Sequence, residues 1–183
     1  NPHEHLNPER PMTDSFLTLL QLFAATDGIT SRKKCQKLVH IFQECGIDFG
    51  LDFELALYGA YSPELQSLID NLVKEKYLNE EPVTSGRFPT THYIPRKRVN
   101  AILEELGETT SPEWQELART LNAKSPRELE TVSTILFLQS AGIPETVLKD
   151  QFGRLKQHLT DEFDAGLKLA KELRPNNEAS SPT

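Results

Sequence analysis

Methionine occurs once in the 183 residues, at Met12, tryptophan once and cysteine twice. No stretch approaches the roughly 18 consecutive apolar residues that a membrane-spanning helix requires, which excludes a helical membrane protein. A cationic excess is also missing: 20 basic residues face 27 acidic ones, for a net charge of −7. Free-standing nucleic-acid binders usually carry the opposite balance, so any such role must rest on a local patch. Catalytic signatures are lacking too. The chain has no glycine-rich phosphate loop, no GKS/T, no GxSxG and no HExxH. Of the histidines, His3 and His5 lie in a polar leading segment, and His40 falls between core positions of a helical pattern. His92 and His158 stand alone, and acid pairs such as Asp161-Glu162 suit the first turn of a helix. The expectation is a non-enzymatic protein with no cofactor and no metal.

What is present suffices for a folded core: 37% of the residues are hydrophobic and 26% charged. Residues 1–11 show no apolar period and contain three prolines, so Met12 reads as the native start and 1–11 as a disordered leader or cloning remnant. Cys35 and Cys45 fall ten positions apart in one helical segment. At 1.5 Å per residue that places them about 15 Å apart, too far for a disulfide or a shared zinc. Small buried thiols of a reduced, cytoplasmic protein are expected.

The element order follows from periodicity and capping. Phe16, Leu19, Leu20 and Phe23 mark a helix over about 13–25, and Ile29-Thr30 a short bridge strand. Ser31 caps a second helix with Leu38, Ile41, Phe42 and Cys45 on one face, stopped at Gly46. Residues 51–58 alternate, with Leu51, Phe53, Leu55 and Leu57 on one side of a strand, and Gly59-Ala60-Tyr61 turns the chain. Ser62-Pro63-Glu64 starts a third helix. Tyr77-Leu78, a tip at Thr84-Ser85-Gly86-Arg87 and Thr90–Ile94 then predict a hairpin. That order is a winged helix-turn-helix over 12–95, with the third helix as recognition element and the hairpin as wing.

From 96 to 173 the pattern is helical, a bundle packed on the first part as one globular unit. Ser111-Pro112-Glu113 and Ser125-Pro126-Arg127-Glu128 open two of its helices, and the second has the form of a capping box. The segment after it is apolar around most of its circumference and is expected at the centre. Val99, Ile102, Leu103 and Leu106 mark one helix, and Leu148, Phe152, Leu155 and Leu159 another. Residues 174–183 form a tail expected to be disordered. The fold class is therefore mainly α with a small antiparallel hairpin.

Charge is unevenly spread. Residues 1–100 carry a net −2 and residues 101–183 a net −5. Two basic clusters stand out: Arg32, Lys33, Lys34 and Lys37 at the start of the second helix, and Arg87 with Arg96, Lys97 and Arg98 around the wing. Four cations in the first turns oppose the helix dipole at about 0.3–1 kcal/mol each, which points to a phosphate, an acidic partner or a nearby carboxylate. The third helix carries Glu64, Asp70 and Glu75 against Lys74 and Lys76 and has no arginine, a poor composition for reading bases.

Three segments carry a resemblance. They are Cys35–Phe42 (CQKLVHIF), Phe53–Leu65 (FELALYGAYSPEL) and Leu72–Leu78 (LVKEKYL). Together they resemble the YwgA-type and SocA-like (Panacea) proteins, with their "LQKLVY" helix, "YGPYS" strand end and "L…GYL" helix end. Leu129–Leu138 resembles the later "LE…ATIxYL" helix, and the match spans roughly Arg32 to Leu159. Cys35 replaces a leucine and Ala60 the proline of the turn, while Tyr58, Gly59, Tyr61 and Ser62 keep the signature. The signature also has a structural explanation: a glycine for an unusual backbone angle, a serine cap and tyrosines that pack the helix start. The resemblance implies a prokaryotic interaction module whose SocA-like members resemble antitoxins that bind toxins directly. A protein partner, a toxin or a defence component, is thus expected; a DNA-binding regulator using the basic clusters is the alternative.

Overall fold

The computed structural model describes residues 14–57, 59–84 and 87–174. Residues 1–11, residues 175–183 and two of the four tip residues therefore lie outside the described residues, whereas Arg174, expected in the disordered tail, donates to Glu44, Ser140 and Gln139. Helix α1 (Asp14–Thr26) leads to β1 (Ile29–Thr30) and helix α2 (Arg32–Glu44). Strands β2 (Glu54–Ala56) and β3 (Gly59–Tyr61) precede helix α3 (Pro63–Lys74). Strands β4 (Leu78–Val83) and β5 (Thr90–Pro95) follow. The remainder is helical: α4 (Lys97–Leu106), α5 (Pro112–Asn122), α6 (Pro126–Ser140) and α7 (Glu145–Leu155), then a 3-10 segment (Gln157–Glu162) and α8 (Phe163–Leu173). The described chain is mainly α with small antiparallel sheets.

Capping fixes the helix starts. Ser31, Ser62, Ser111 and Ser125 each accept a backbone N–H from the third residue on, and Ser125 with Glu128 closes a capping box. Two small antiparallel sheets form among the described residues. One has the order β1-β5-β4, with Ile29 opposite Tyr93 and Glu80 opposite Tyr93 on the other side. The other is the β2–β3 hairpin, registered Glu54 to Tyr61 and Ala56 to Gly59.

The hairpin corrects the expectation of one strand over 51–58 followed by a turn at Gly59-Ala60-Tyr61. Only Glu54–Ala56 pair, and Gly59–Tyr61 are the return strand. The chain reverses at Leu57, which is 81% exposed rather than aligned with buried Leu51. Period-two alternation cannot hold across a reversal. Leu106 and Leu155, expected on buried faces, are 56% and 48% exposed in the last turns of their helices.

A single cluster of buried side chains joins both halves, from Leu20, Phe23, Leu38 and Phe42 through Leu136 and Phe152. Helix α6 lies at its centre, packed against α2, α7, α8 and β3, and all but one of the residues from Leu129 to Leu136 are buried. Gly166 lets α8 approach closely, since a Cβ there would stand 2.5 Å from Thr131 Cγ2. Trp114 of α5 stacks on Phe42 with ring centroids 5.4 Å apart, tying the later helices to α2. Among the described residues no helix is long and apolar enough to cross a membrane.

Candidate functional site

Helix α2 places Arg32, Lys33, Gln36 and Lys37 within two turns, on adjacent positions of one face. The β2–β3 hairpin lies against that face and supplies Ala56, Gly59 and Tyr61, and α3 supplies Gln66. Between them is a cleft of about 290 Å³. Among its described lining residues three are cations and none is an acid.

The wall is held by buried polar contacts. Gln36 donates from Nε2 to the Ser62 carbonyl at 2.9 Å and accepts the Ser62 amide on Oε1 at 2.8 Å. Ser62, itself buried, caps α3 through Leu65 N–H at 3.2 Å. Lys37 Nζ donates to the Ala60 carbonyl at 3.0 Å. Gly59 has φ +97°, and a Cβ on it would stand 3.1 Å from Lys37 Cε, 3.4 Å from its Nζ and 3.5 Å from Thr134 Oγ1. A side chain here would be strained and would also cover the ammonium.

Behind the hairpin, α7 ends in Lys156, only 2% exposed, whose Nζ donates to the Leu57 carbonyl and to Glu130 Oε1, each at 2.9 Å. Lys37 has no carboxylate within 4.0 Å among the described residues. Burial pushes its ammonium down to about 8; Glu130 opposes that shift, and Lys156 and Lys33 add to it. One turn along α2, buried His40 meets Ser133 Oγ through Nδ1 at 2.7 Å and packs against the rings of Phe53 and Phe137. Its Nε2 lies 3.3 Å from Glu44 Oε1, and the other carboxylate oxygen, Oε2, accepts from Arg174 and Ser140. Burial would raise the Glu44 carboxyl, but these donors outweigh it and hold it below its ordinary range.

The sequence-predicted basic residues separate into distinct places. Arg32 donates from Nε to Tyr93 Oη at 2.8 Å and sits 3.4 Å from Asp70 of α3. Lys33 is exposed at the cleft rim. Lys34 turns away and donates to the Asn122 carbonyl of α5. Lys37, expected with the others on the basic surface, is buried at 5% exposure. Arg87 is exposed beyond β4. Arg96, Lys97 and Arg98 are exposed at the start of α4, where Arg98 lies 4.0 Å over the Tyr77 ring and donates to the Glu75 carbonyl at 2.8 Å.

Of the turn signature, Gly59 and Tyr61 line the cleft, Ser62 is the buried cap, and Tyr58 lies outside the described residues. Sequence reading missed Gln36, Thr134, Glu130 and Lys156. Gln36 sat within the CQK segment, but only the distant Ser62 backbone gives it its role. The other three carry no local signal. Cys35 is buried, its thiol pushed up to about 12, and Cys45 is half-buried and raised to about 11, in each case by burial. Both thiols are free. No cluster of three or more histidine, cysteine or acidic side chains able to hold a metal occurs among the described residues.

No family profile matches the sequence. The chain is 27% identical over 159 residues to the uncharacterized protein YwgA of Bacillus subtilis (strain 168), an alignment covering 85% of this chain and 94% of that protein. YwgA is thus a homologue over most of the chain.

Proposed function

We propose that the protein is a non-enzymatic interaction module of YwgA/SocA-like type, built on a winged helix, that works in the cytoplasm by binding a protein partner. The partner is a toxin or a component of a defence system, and the binding surface is the cleft between α2 and the β2–β3 hairpin. Supporting the winged-helix part are the order of elements from α1 to β5 and the strand order β1-β5-β4. The observation that carries the partner reading is the Arg32–Asp70 pair. The helix that would enter a DNA groove presents exposed Glu64, Asp70 and Glu75, and one of these acids already occupies a cation of α2. A duplex meeting that face would encounter carboxylates before bases. Exposed Leu57 and Tyr61 beside the cleft supply the apolar and aromatic surface that protein interfaces favour.

A second reading keeps DNA as the ligand. It rests on exposed Arg96, Lys97 and Arg98, which with Lys76 surround a shallow basic depression. Co-expression with the products of adjacent genes, followed by size-exclusion chromatography, separates the two. A stable complex lost on Tyr61→Ala, with no duplex-DNA shift at about 100–150 mM salt, is the expected result. A salt-dependent DNA shift lost on substitution of Arg96, Lys97 and Arg98 by alanine, with no protein complex, would overturn it.

A further inference from the structure

The cleft floor holds a buried cation without a counter-charge. Lys37 is 5% exposed, and its ammonium makes a single hydrogen bond, to the Ala60 carbonyl, among the described residues. Buried charges are ordinarily paired, because removing an ion from water is costly unless an opposite charge replaces the lost solvent. Lys156, equally buried and on the other side of the hairpin, obeys this rule through Glu130 at 2.9 Å. Lys37 does not.

A second group next to it is also unsatisfied. Thr134 is fully buried, and its Oγ1 has no hydrogen-bond partner. Thr131, one turn earlier on the same helix, satisfies its hydroxyl in the usual helical way, donating to the Arg127 carbonyl at 2.8 Å. Thr134 instead points its oxygen toward Gly59, where Lys37 Nζ and Thr134 Oγ1 both come within 3.5 Å of the point a Cβ would occupy. Lys37 and Gly59 both line the cleft, and a side chain on Gly59 would crowd both the ammonium and the Thr134 hydroxyl.

We propose that Lys37 and Thr134, beside the bare α-carbon of Gly59, form a subsite for a carboxylate carried by an aspartate or glutamate side chain of the protein partner. This rests on the partner reading and specifies its chemistry. A carboxylate fits the donor set: one oxygen takes a free ammonium N–H and the other the threonine hydroxyl. Lys33 at the rim adds positive potential at the cleft mouth, Arg32 being paired with Asp70, and none of the described lining residues is an acid. A phosphate would need more donors than this floor offers. The depressed ammonium of Lys37 agrees with a cation awaiting its counter-ion.

The test uses the full chain labelled with 15N, and with 13C in lysine. Acetyl-Leu-Glu-Leu-amide is titrated beside its glutamine counterpart, inorganic phosphate and a duplex oligonucleotide. The expected result is saturable shifts of the Gly59 and Thr134 amides with the glutamate peptide only, at least tenfold weaker for the glutamine peptide and for Thr134→Val. The Lys37 ammonium should also titrate at least one pH unit higher when the peptide is bound. Glu130, Lys156 and Lys33 are the charged groups that face it.

Thr134→Val removes a hydroxyl that bonds nothing, so the variant should fold with unchanged stability and keep the test valid. Tighter saturation by phosphate or by the oligonucleotide overturns the proposal, as does an absence of saturable shifts with every probe. A partner complex that forms and ignores Thr134→Val also overturns the subsite while leaving the partner reading intact. Peptide binding without any partner complex does the reverse.

Discussion

Gln36 grips the backbone of Ser62 from both sides, donating to its carbonyl at 2.9 Å and accepting its amide at 2.8 Å. A primary amide donates from its nitrogen and accepts on its oxygen, so it can do both at once. The contact joins two of the segments that carry the resemblance, CQK on α2 and GAYS at the end of β3. Ser62 in turn caps α3, so one glutamine sets the spacing of helix, hairpin and next helix.

Replacing it should therefore loosen all three. Gln36→Leu preserves much of the volume and leaves the buried Ser62 N–H without a partner, while the Ser62 carbonyl keeps the Gln66 N–H at 3.3 Å. At about 1–3 kcal/mol for an unsatisfied buried group, a loss of roughly 1–3 kcal/mol is expected. Urea denaturation measures it, and a loss below about 0.5 kcal/mol would show that solvent or a shifted neighbour replaces the amide.

Gly59→Ala combines two costs. A φ of +97° is unfavourable for any L side chain, and the new methyl would stand 3.1 Å from Lys37 Cε. A destabilisation of about 1–3 kcal/mol is expected by thermal or urea unfolding. Adding Lys37→Met, whose flexible thioether can yield, should recover the steric part only. Full recovery in the double variant would mean that the backbone angle carries no strain.

Some of this architecture was readable in advance because it is local. Ser62-Pro63-Glu64 and the Ser125–Glu128 box declare helix starts within four residues, and the structure caps α3 and α6 there. A short strand at Ile29-Thr30 and the β4–β5 hairpin followed from patterning in the same way, though not the pairing of the first with β5. The β2–β3 hairpin did not. Its return strand is three residues, Gly-Ala-Tyr, with none of the β-branched residues that signal a strand, and Leu57 at its apex continues a false alternation.

The cleft was half legible. Arg32, Lys33 and Lys37 announced a basic run, but charge patterning cannot say which cations face outward. Lys34 and Lys37 are taken by backbone carbonyls 88 and 23 positions away. Thr134 and Lys156 acquire meaning only when α6 and α7 pack beside the hairpin.

Lys37 should leave a signature in the pH dependence of stability. Its ammonium titrates near 8 in the folded protein, against an ordinary value of 10.5. Below about pH 8 both states carry the proton and the difference is flat. Between about 8 and 10.5 the unfolded chain still binds a proton that the folded protein has released, so stability rises with pH, by about 1–3 kcal/mol. Cys35, Cys45 and Tyr93 act in the opposite sense, since their folded forms hold protons longer than the unfolded chain does. Subtracting the Lys37→Met curve isolates the lysine. A difference that stays constant from pH 7 to about 10.5 would assign the titration elsewhere.

The buried Lys156–Glu130 pair makes the last prediction. Lys156 is 2% exposed and clamps the hairpin apex through the Leu57 carbonyl, while Glu130 keeps 18% of its side chain in solvent. Lys156→Met should be strongly destabilising, by about 2–4 kcal/mol, because it strands a carboxylate with little water and a carbonyl with no donor. Glu130→Gln in that background removes the stranded charge and should return at least half of the loss. The single Glu130→Gln variant should fall between, since the amide can still accept from the ammonium. Lys171→Ala, which breaks the exposed pair with Glu145, should leave the denaturation midpoint unchanged. A double-mutant cycle read by urea unfolding decides the matter. If the two substitutions add with no coupling, the pair does not act as a unit, and the hairpin must be held by Lys37 and Gln36 alone.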